Sequence, residues 1–400
     1  MKDVNNSFVL GLKDNQKIYD NSYNHVLLFA PTGTGKGVAS IVQNLFNWTE
    51  SVIVNDFRGE NFELTSGYRQ KTLKQKIFLL DFMNSEKSCC YNPLDIVKNN
   101  KDNAIFEIEN ILCYLVDKNN VLYEDVKNLI TAIILYLLDK NLTLTFGNVL
   151  NILQKLDLLE FLLSLLSLKD LNITTLNYIN SFCKKTEIEQ IKIKDLALSS
   201  LKLWTNPNID NTTSKSDFSV FDFSVNKSSL YIKIEPYEFE IIKPLLQIFY
   251  SQFMKSMVSY KEEVKTGTLI ILDEFVHMGK MDFILNSISY LRGYNIKLLI
   301  TLENFDSLKE TYNELEISKL LSNCPIKIAF RTDNKNTLDL FTELYGSNDI
   351  FTSISTDEIR TLTKYEEIIV YDSNYSQKCQ KARYFEEEGI NEKMLGEAEI

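Results

Sequence analysis

The sequence predicts an α/β protein whose mostly parallel sheet is interrupted by an all-α segment. Short apolar runs, read as buried strands, alternate with helical patterns in both the first and the last part of the chain. A strand, a glycine-rich loop and a helix follow one another near the amino terminus, and a later apolar strand ends in two carboxylates. Between these parts, residues 98–203 contain one glycine and no proline, and their apolar residues recur at helical spacing.

These textures divide the chain into three segments. We expect the first part of a nucleotide-binding domain at 1–97, an all-α insertion domain of about six helices at 98–203, and the second part at 204–400 with an acidic C-terminal tail. The predicted strands are Phe8–Leu12, Val26–Ala30, Ser51–Val54, Ile77–Leu80, Leu230–Ile234, Thr268–Leu272, Ile296–Leu302 and Ile326–Phe330.

The glycine-rich loop indicates a phosphate-binding P-loop. Its sequence, APTGTGKG, runs from Ala30 to Gly37 between a predicted strand and a predicted helix. Loop amides and the helix start offer partial positive charge to an anion, and Lys36 adds a full charge that reaches the β- and γ-phosphates of ATP. Ala30 stands where the usual motif has its first glycine. The predicted nucleotide-binding residues are Thr32, Gly33, Thr34, Gly35, Lys36, Gly37 and Val38.

A second motif, TLIILDE, is typical of a Walker B strand. Ligands lie at the carboxyl ends of strands in a parallel sheet, so its two acids are expected beside the P-loop. Asp273 is placed to hold Mg²⁺, and Glu274 is placed to polarise the water that attacks the γ-phosphate.

Composition limits the function classes. The net charge of −11, from 43 basic and 54 acidic residues, disfavours a uniformly basic nucleic-acid binder. The sum does not exclude a local basic groove, because the potential depends on how the charge is distributed, although a basic run is usually a solvated helix face. No C-x-x-C pair occurs and there are only two histidines, which disfavours a zinc site and indicates reduced thiols in a cytosolic compartment. Apolar runs are too short to cross a bilayer, so we expect the chain as given to be soluble. The basic cluster is Lys184, Lys185, Lys192 and Lys194, and the acidic tail contains Glu386, Glu387, Glu388, Glu392, Glu397 and Glu399.

In order along residues 20–385, these motifs resemble those of the type IV secretion coupling proteins (VirD4/TraG/TraD-like ATPases). His25, then APTGTGKG with Asn44 and Leu45 after it, resembles the family's P-loop. SVIVNDFRGENFELTSGYR resembles its D-x-K-G-E … T-x-x-Y-R block, with Arg58 in the place of lysine. YNPLD, YIKIEP, ILDEF, LRGYNIKLLI and SLKETYN resemble further blocks of the family.

The resemblance implies a RecA-like P-loop NTPase that binds ATP and Mg²⁺ and forms a hexameric ring at the cytoplasmic face of the bacterial inner membrane. There it would recruit relaxase–DNA complexes or effector proteins and, with inner-membrane components of the type IV secretion system, deliver them to the channel. DNA contacts would be to phosphates, salt-dependent and non-specific. The nucleotide would lie between subunits and receive an arginine from the neighbour. Arg292 and Arg331, which flank strands near the expected site, are the candidates.

Three features depart from the family pattern. Gly37 brings no hydroxyl, so Mg²⁺ would depend on Asp273, phosphate oxygens and water. Glu303 stands where the family often has glutamine, and its charge would repel a γ-phosphate. The family's amino-terminal membrane helices have no counterpart in this sequence, which leaves open a removed anchor or anchoring by other subunits.

The sequence therefore leaves three functions open. The first is the ATP-driven coupling protein. The second is a cytosolic DNA translocase, which the acidic net charge and the helical insertion disfavour. The third is a nucleotide-gated adaptor that docks substrates with little hydrolysis, which Glu274 disfavours because a pure binder needs no water-polarising carboxylate.

Overall fold

The computed structural model describes residues 7–259, 264–345, 354–371 and 375–400. Within these residues, eleven strands form one sheet. They are β1 (Phe8–Lys13), β2 (Gln16–Asp20), β3 (Val26–Phe29), β4 (Ser51–Phe57), β5 (Lys76–Leu80), β6 (Ser228–Ile234), β7 (Thr268–Leu272), β8 (Ile296–Leu302), β9 (Ile326–Ala329), β10 (Glu366–Tyr371) and β11 (Tyr375–Gln380).

The strand order is β2-β1-β11-β10-β9-β3-β8-β7-β4-β6-β5. The block from β9 to β6 is parallel, with Phe29 paired to Leu302 of β8 and to Ala329 of β9. At one side, β10, β11, β1 and β2 add antiparallel strands. The predicted α/β fold with a mostly parallel sheet is confirmed, and all eight predicted strands are present. Strands β2, β10 and β11 were not predicted.

Helices of the described residues connect and cover the strands. They are α1 (Val42–Asn47), α2 (Glu60–Lys71), α3 (Asp95–Asn99), α4 (Ala104–Leu115), α5 (Tyr123–Asp139), α6 (Phe146–Leu153), α7 (Leu158–Leu165), α8 (Ile173–Cys183), α9 (Glu187–Ser200), α10 (Pro207–Thr212), α11 (Phe221–Ser224), α12 (Phe239–Ser259), α13 (Asp282–Leu291), α14 (Phe305–Thr311), α15 (Glu314–Asn323), α16 (Lys335–Tyr345), α17 (Thr356–Arg360) and α18 (Ile390–Lys393). In the described part of the chain, no helix is both long and apolar enough to cross a membrane.

The chain forms two compact units. One comprises Met1–Leu79, Ser219–Phe239 and Phe253–Ile400, and the other comprises Leu80–Phe218 and Glu240–Gln252. Six helices, α4 to α9, lie wholly within residues 98–203 of the second unit, where α5 packs against both α8 and α9. The boundaries 1–97, 98–203 and 204–400 stay a prediction.

A buried arginine holds the end of the helix that follows the glycine-rich loop. Arg69 of α2 is fully buried, and its guanidinium donates to the carbonyl oxygens of Leu45 (2.6 Å), Trp48 (2.7 Å) and Glu50 (2.6 Å). The last carbonyls of a helix have no partner within it, so these bonds satisfy groups at the end of α1 that burial would otherwise leave unpaired. Arg69 thereby joins α2 to the end of α1 and to the residues that lead into β4.

An acidic run such as the C-terminal segment is usually a solvated tail or a docking segment, and here its backbone is packed against α2. Gly67 of α2 donates to the carbonyl of Gly396 at 3.1 Å, and the Ala398 amide donates to Ser66 Oγ at 2.9 Å. Glu387 bonds to Lys17 at 2.7 Å, and such ammonium partners outweigh its partial burial and lower the pKa of the carboxyl to about 2. The other five glutamates of the segment are exposed, so only their side chains fit the expectation.

Candidate nucleotide-binding site

The glycine-rich loop leaves the carboxyl end of β3, as predicted. Gly33 (φ +78°) and Gly35 (φ +91°) adopt backbone conformations that favour glycine. Gly37 does not, and a Cβ at this position would meet no atom of the described chain within 4 Å. The backbone conformation therefore favours glycine at 33 and 35 but not at 37. Gly37–Ile41 forms a π-helical turn that continues into α1.

Lys36 meets both Walker B acids. Its ammonium bonds to the Glu274 carboxylate and lies 3.1 Å from Asp273 Oδ1. Strand β8 lies between β3 and β7, so one strand separates the loop from the acids. Lys36, Asp273 and Glu274, which were predicted to lie at one edge of the sheet, are therefore in contact. The Lys36 ammonium lies where it could neutralise the charge of a bound phosphate.

The environment of this cluster shifts the pKa values of Lys36 and Asp273. Burial alone would lower the pKa of Lys36, but the carboxylates of Asp273 and Glu274 prevail and raise it above its ordinary value. Burial raises the pKa of Asp273, against the opposing effects of Lys36 and Thr301, and the nearby Glu274 raises it further. Lys36 therefore stays charged near neutral pH and is held by two acids.

Thr301, which belongs to neither predicted motif, positions the two acids. Its hydroxyl donates to Asp273 Oδ1 at 2.6 Å and accepts from the Glu274 amide at 3.0 Å. Glu274 has a left-handed backbone (φ 52°), which is strained for a residue with a side chain and re-aims the chain directly after β7. In the sequence, this role is indicated only weakly, by a hydroxyl residue near the end of the apolar strand β8.

The acids fit a magnesium ion in part. Carboxylate oxygens are preferred ligands, and the described contacts of the Asp273 carboxylate use Oδ1, which leaves Oδ2 free to bind an ion. Gly37 offers no side-chain oxygen, so Asp273 is the residue of the predicted set that would hold the metal.

A polar cavity of about 370 Å³ adjoins Glu274. Glu303, Asn304 and the exposed His277 line it, and His277 Nε2 lies 3.7 Å from Glu274 Oε2. Asn304 accepts from the Ser307 amide at 2.9 Å and so caps α14. Glu303 thus lies near the predicted water-polarising acid, and among the described residues it forms no ion pair with Lys36.

The two candidate arginines lie at opposite ends of the parallel strands, Arg331 at the carboxyl ends and Arg292 at the amino ends. Arg331 follows β9, whose carboxyl end lies beside that of β3, and its exposed side chain makes no hydrogen bond or ion pair with any described residue. Arg292 precedes β8 and donates to Asn24 at 2.9 Å. The length of β8 separates it from the site by roughly 20 Å. Arg292 thus lies far from the site of its own chain, and the assignment of either arginine as the one contributed by a neighbouring subunit stays a prediction.

The predicted basic cluster is smaller than its sequence suggests. Lys185 pairs with Asp125 at 2.7 Å, and Lys194 donates to the Lys155 carbonyl at 2.7 Å. Lys184 and Lys192 remain exposed. Two of the four lysines are therefore engaged within their own unit.

Known proteins are similar to this chain in sequence and in fold. Residues 3–352 match the family described as Type IV secretory system Conjugative DNA transfer. The chain belongs to this family. The predicted resemblance to type IV secretion coupling proteins is thus confirmed. Protein VirD4 of Rhizobium radiobacter is 28% identical over 332 residues, a match that covers 80% of this chain and 48% of that protein. The chain spans about half the length of this curated relative of the coupling-protein family.

Solved structures of the coupling-protein family have the same fold. The unbound bacterial conjugative coupling protein TrwBdeltaN70 aligns with a TM-score of 0.66 at 15% identity, covering 93% of this chain and 89% of that one. The plasmid coupling protein TrwB in complex with ADP and Mg²⁺ aligns with a TM-score of 0.64 at 15% identity, covering 90% and 85%. The predicted P-loop NTPase fold is thereby confirmed.

Proposed function

We propose that this protein is an ATP-driven coupling protein that delivers relaxase–DNA complexes or effector proteins to a type IV secretion channel. The observation that supports the proposal is the meeting of Lys36, Asp273 and Glu274 at one edge of the sheet in a member of the conjugative DNA transfer family. A P-loop lysine beside two strand-end acids is the arrangement that ATP hydrolysis requires.

Each group has a role in this proposal. Residues Thr32 to Val38 bind the phosphates through backbone N–H groups, and Lys36 contacts the β- and γ-phosphates. Asp273 holds Mg²⁺, which when bound neutralises charge on the phosphates. Glu274 orients the attacking water and accepts its proton. Because Glu274 is bonded to Lys36, the phosphates must first draw the lysine away from it.

The active form is a hexameric ring in which a neighbouring subunit completes the site. Arg331 is the better candidate for the contributed arginine because it is exposed at the carboxyl edge of the sheet. Arg331→Ala should lower turnover and leave ATP affinity unchanged, whereas Arg360→Ala on α17 serves as a control for loss of an exposed arginine. Equal loss of binding and turnover in Arg331→Ala would refute the assignment.

The ring would work at the cytoplasmic face of the inner membrane with other components of the secretion system. Its contacts with DNA would be to phosphates and therefore weaken steeply as salt rises. Lys184 and Lys192, the exposed members of the basic cluster, are the candidate contacts within the helical unit.

The test is steady-state ATP hydrolysis measured against protein concentration, with and without single- and double-stranded DNA. A rate that rises faster than linearly with protein, increases with DNA and disappears in both Lys36→Ala and Glu274→Gln would support an oligomeric, DNA-stimulated motor. A linear rate that DNA does not change and that survives in Glu274→Gln would contradict it.

A nucleotide-gated adaptor is the second candidate. The Lys36–Glu274 bond occupies both the phosphate-binding lysine and the water-polarising acid, and Gly37 lacks the usual metal-binding hydroxyl. Tight ATP binding without turnover at any protein or DNA concentration would favour this function.

A further inference from the structure

A buried lysine contacts the glycine-rich loop from the side of the last strand. Lys381 directly follows β11 and is 3% exposed. Its ammonium donates to the carbonyl of Thr34 at 2.9 Å and lies 3.6 Å from the centre of the Phe330 ring. A buried ammonium is costly unless it is paired, so this contact is a specific one.

A buried acid, Glu367, lies near Lys381. Glu367 of β10 is 1% exposed and acts electrostatically on the lysine, while Cys379 donates to its carboxylate at 3.7 Å. A Cβ at Gly11 of β1 would clash with the same carboxylate. Burial lowers the pKa of Lys381 to about 8, although Glu367 opposes the shift and Arg383 adds to it. Glu367 therefore acts on Lys381 electrostatically, and the Thr34 carbonyl is the hydrogen-bond acceptor described for the lysine.

The Lys381 contact decides which way one loop peptide faces. In a planar trans peptide the C=O and the N–H point in opposite directions, and no cis peptide occurs in the described residues. Because the Thr34 carbonyl points at Lys381, the Gly35 N–H points away from it. This N–H has no hydrogen-bond partner among the residues that the structure describes.

Glycine leaves this orientation otherwise undetermined. Gly35 has φ +91° and no Cβ, and the nearest atom to a Cβ built there is a Val38 methyl at 3.4 Å. Residues without a Cβ populate both signs of φ readily, so the Thr34–Gly35 peptide can turn over at low cost. An external donor on the Thr34 carbonyl is what selects one orientation.

We propose that Lys381 is a positioning residue that holds the Thr34 carbonyl and thereby aims the Gly35 N–H at the phosphates of a bound nucleotide. The proposal rests on nucleotide binding by this loop, the function proposed above. It assigns Lys381 no contact with the nucleotide itself. Loss of the lysine would leave the phosphates with one donor that is correctly oriented for only part of the time.

The test compares Lys381→Met with the double variant Glu367→Gln/Lys381→Met in the full chain. Methionine keeps length and apolar contact with Phe330 but removes the donor, and the glutamine prevents a buried carboxyl from losing its cation. Lys378→Met is the matched control, because Lys378 lies on β11, the strand that Lys381 follows, and its 49% exposed side chain pairs with Glu366. Calorimetry would measure the affinity for ADP and for inorganic tripolyphosphate.

Both Lys381 variants should bind ADP and tripolyphosphate about tenfold more weakly, a change of about 1.4 kcal/mol, with KM for ATP rising and kcat at saturation nearly unchanged. Lys378→Met should match the wild type. In ¹⁵N-glycine spectra, the response of the Gly35 amide to tripolyphosphate should shrink in the Lys381 variants, a change that a general loss of stability would not produce.

The outcomes separate this inference from the proposed function. Wild-type binding that is lost in Lys36→Ala but unchanged in both Lys381 variants would overturn the positioning role alone. An unchanged Gly35 amide response in the double variant would overturn it as well. Failure of the wild type to bind either ligand would refute the proposed function, and the positioning role with it.

Discussion

Glu274→Gln should tighten nucleotide binding while it strongly slows hydrolysis. Lys36 bonds to the Glu274 carboxylate and lies 3.1 Å from Asp273, so phosphates must compete with two acids for one ammonium. A glutamine at 274 removes one negative competitor and leaves the shape of the side chain almost unchanged. It also removes the proton acceptor for the attacking water, which is expected to slow hydrolysis by about 10²- to 10⁴-fold.

The size of the affinity gain follows from the geometry. Two unit charges about 4 Å apart attract by about 4 kcal/mol at an effective dielectric constant near 20. The side chains of Lys36 and Glu274 are 19% and 22% exposed, so water screens part of this attraction. Asp273 also remains as a partner for the lysine. About 1–2 kcal/mol of competition is left after these discounts, which corresponds to roughly 5- to 30-fold tighter binding.

Fluorescent ADP and a non-hydrolysable ATP analogue would measure the dissociation constants of the wild type, Glu274→Gln and a control. Glu303→Gln is the control because it also neutralises a carboxylate that lines the cavity, yet Glu303 forms no ion pair with Lys36 among the described residues. Its effect should be smaller than that of Glu274→Gln. Unchanged or weaker binding in Glu274→Gln, or an equal gain in both variants, would refute the competition argument.

Three further predictions follow from single positions. Gly37→Ser should fold normally, because a side chain has room at this position, and it should lower the Mg²⁺ concentration needed for half-maximal hydrolysis several-fold. A magnesium titration of the hydrolysis rate checks this. Gly35→Ser should instead weaken nucleotide binding, because φ at this position is +91°, and a binding titration with ADP checks that. Arg69→Leu should destabilise the nucleotide-binding unit by about 3–5 kcal/mol, because three buried carbonyls lose their donor; calorimetric unfolding against the exposed control Lys71→Leu would show it, and an equal melting temperature would contradict it. Burial raises the pKa of Asp56 in the fold to about 7 despite two backbone amides that it accepts from, so the folded state binds more protons and loses stability as pH rises from about 4 to 7. The melting temperature of the wild type should therefore fall more between pH 4 and pH 7 than that of Asp56→Asn, which has no titrating group at this position. An equal pH dependence in both proteins would count against the assignment.

Hydrophobic periodicity predicted the buried parallel strands but not the antiparallel strands β2, β10 and β11. The parallel strands are covered on both faces and read as continuous apolar runs, such as Thr268–Leu272. Strand β10 opens with two glutamates, and β11 reads YSQKCQ without an apolar run. Antiparallel strands at the side of a sheet need less apolar sequence, so pattern alone did not distinguish these from loops.

Only those residues of the candidate site that belong to a recognisable sequence motif could be predicted. Lys36, Asp273 and Glu274 follow from two motifs and the rule that parallel strands end at one edge. Thr301 left a weak signal as a hydroxyl in an apolar strand. Lys381 left none, because its partner Thr34 is 347 residues away and their meeting depends on the unpredicted strand β11.

The residues that supported the family resemblance include several that brace the backbone around the glycine-rich loop. His25 is buried, burial lowers its pKa to about 3, and the neutral ring accepts from the Leu298 amide at Nδ1 (3.1 Å) and donates to the Ile288 carbonyl from Nε2 (3.0 Å). Asn44 exchanges two hydrogen bonds with the backbone of Val9, at 2.7 and 2.9 Å.

Together with Arg69, His25 and Asn44 fix both the strand that enters the loop and the helix that leaves it. A loop that is already ordered before nucleotide arrives loses little conformational entropy on binding, so more of the phosphate interaction appears as affinity. The flexible Gly33 and Gly35 can therefore be tolerated at the contact point itself, because rigidity is supplied by side chains outside it. This division gives Arg69, the last residue of the T-x-x-Y-R block, a role in ordering the loop although it bonds to Leu45, Trp48 and Glu50 and to none of the predicted nucleotide-binding residues.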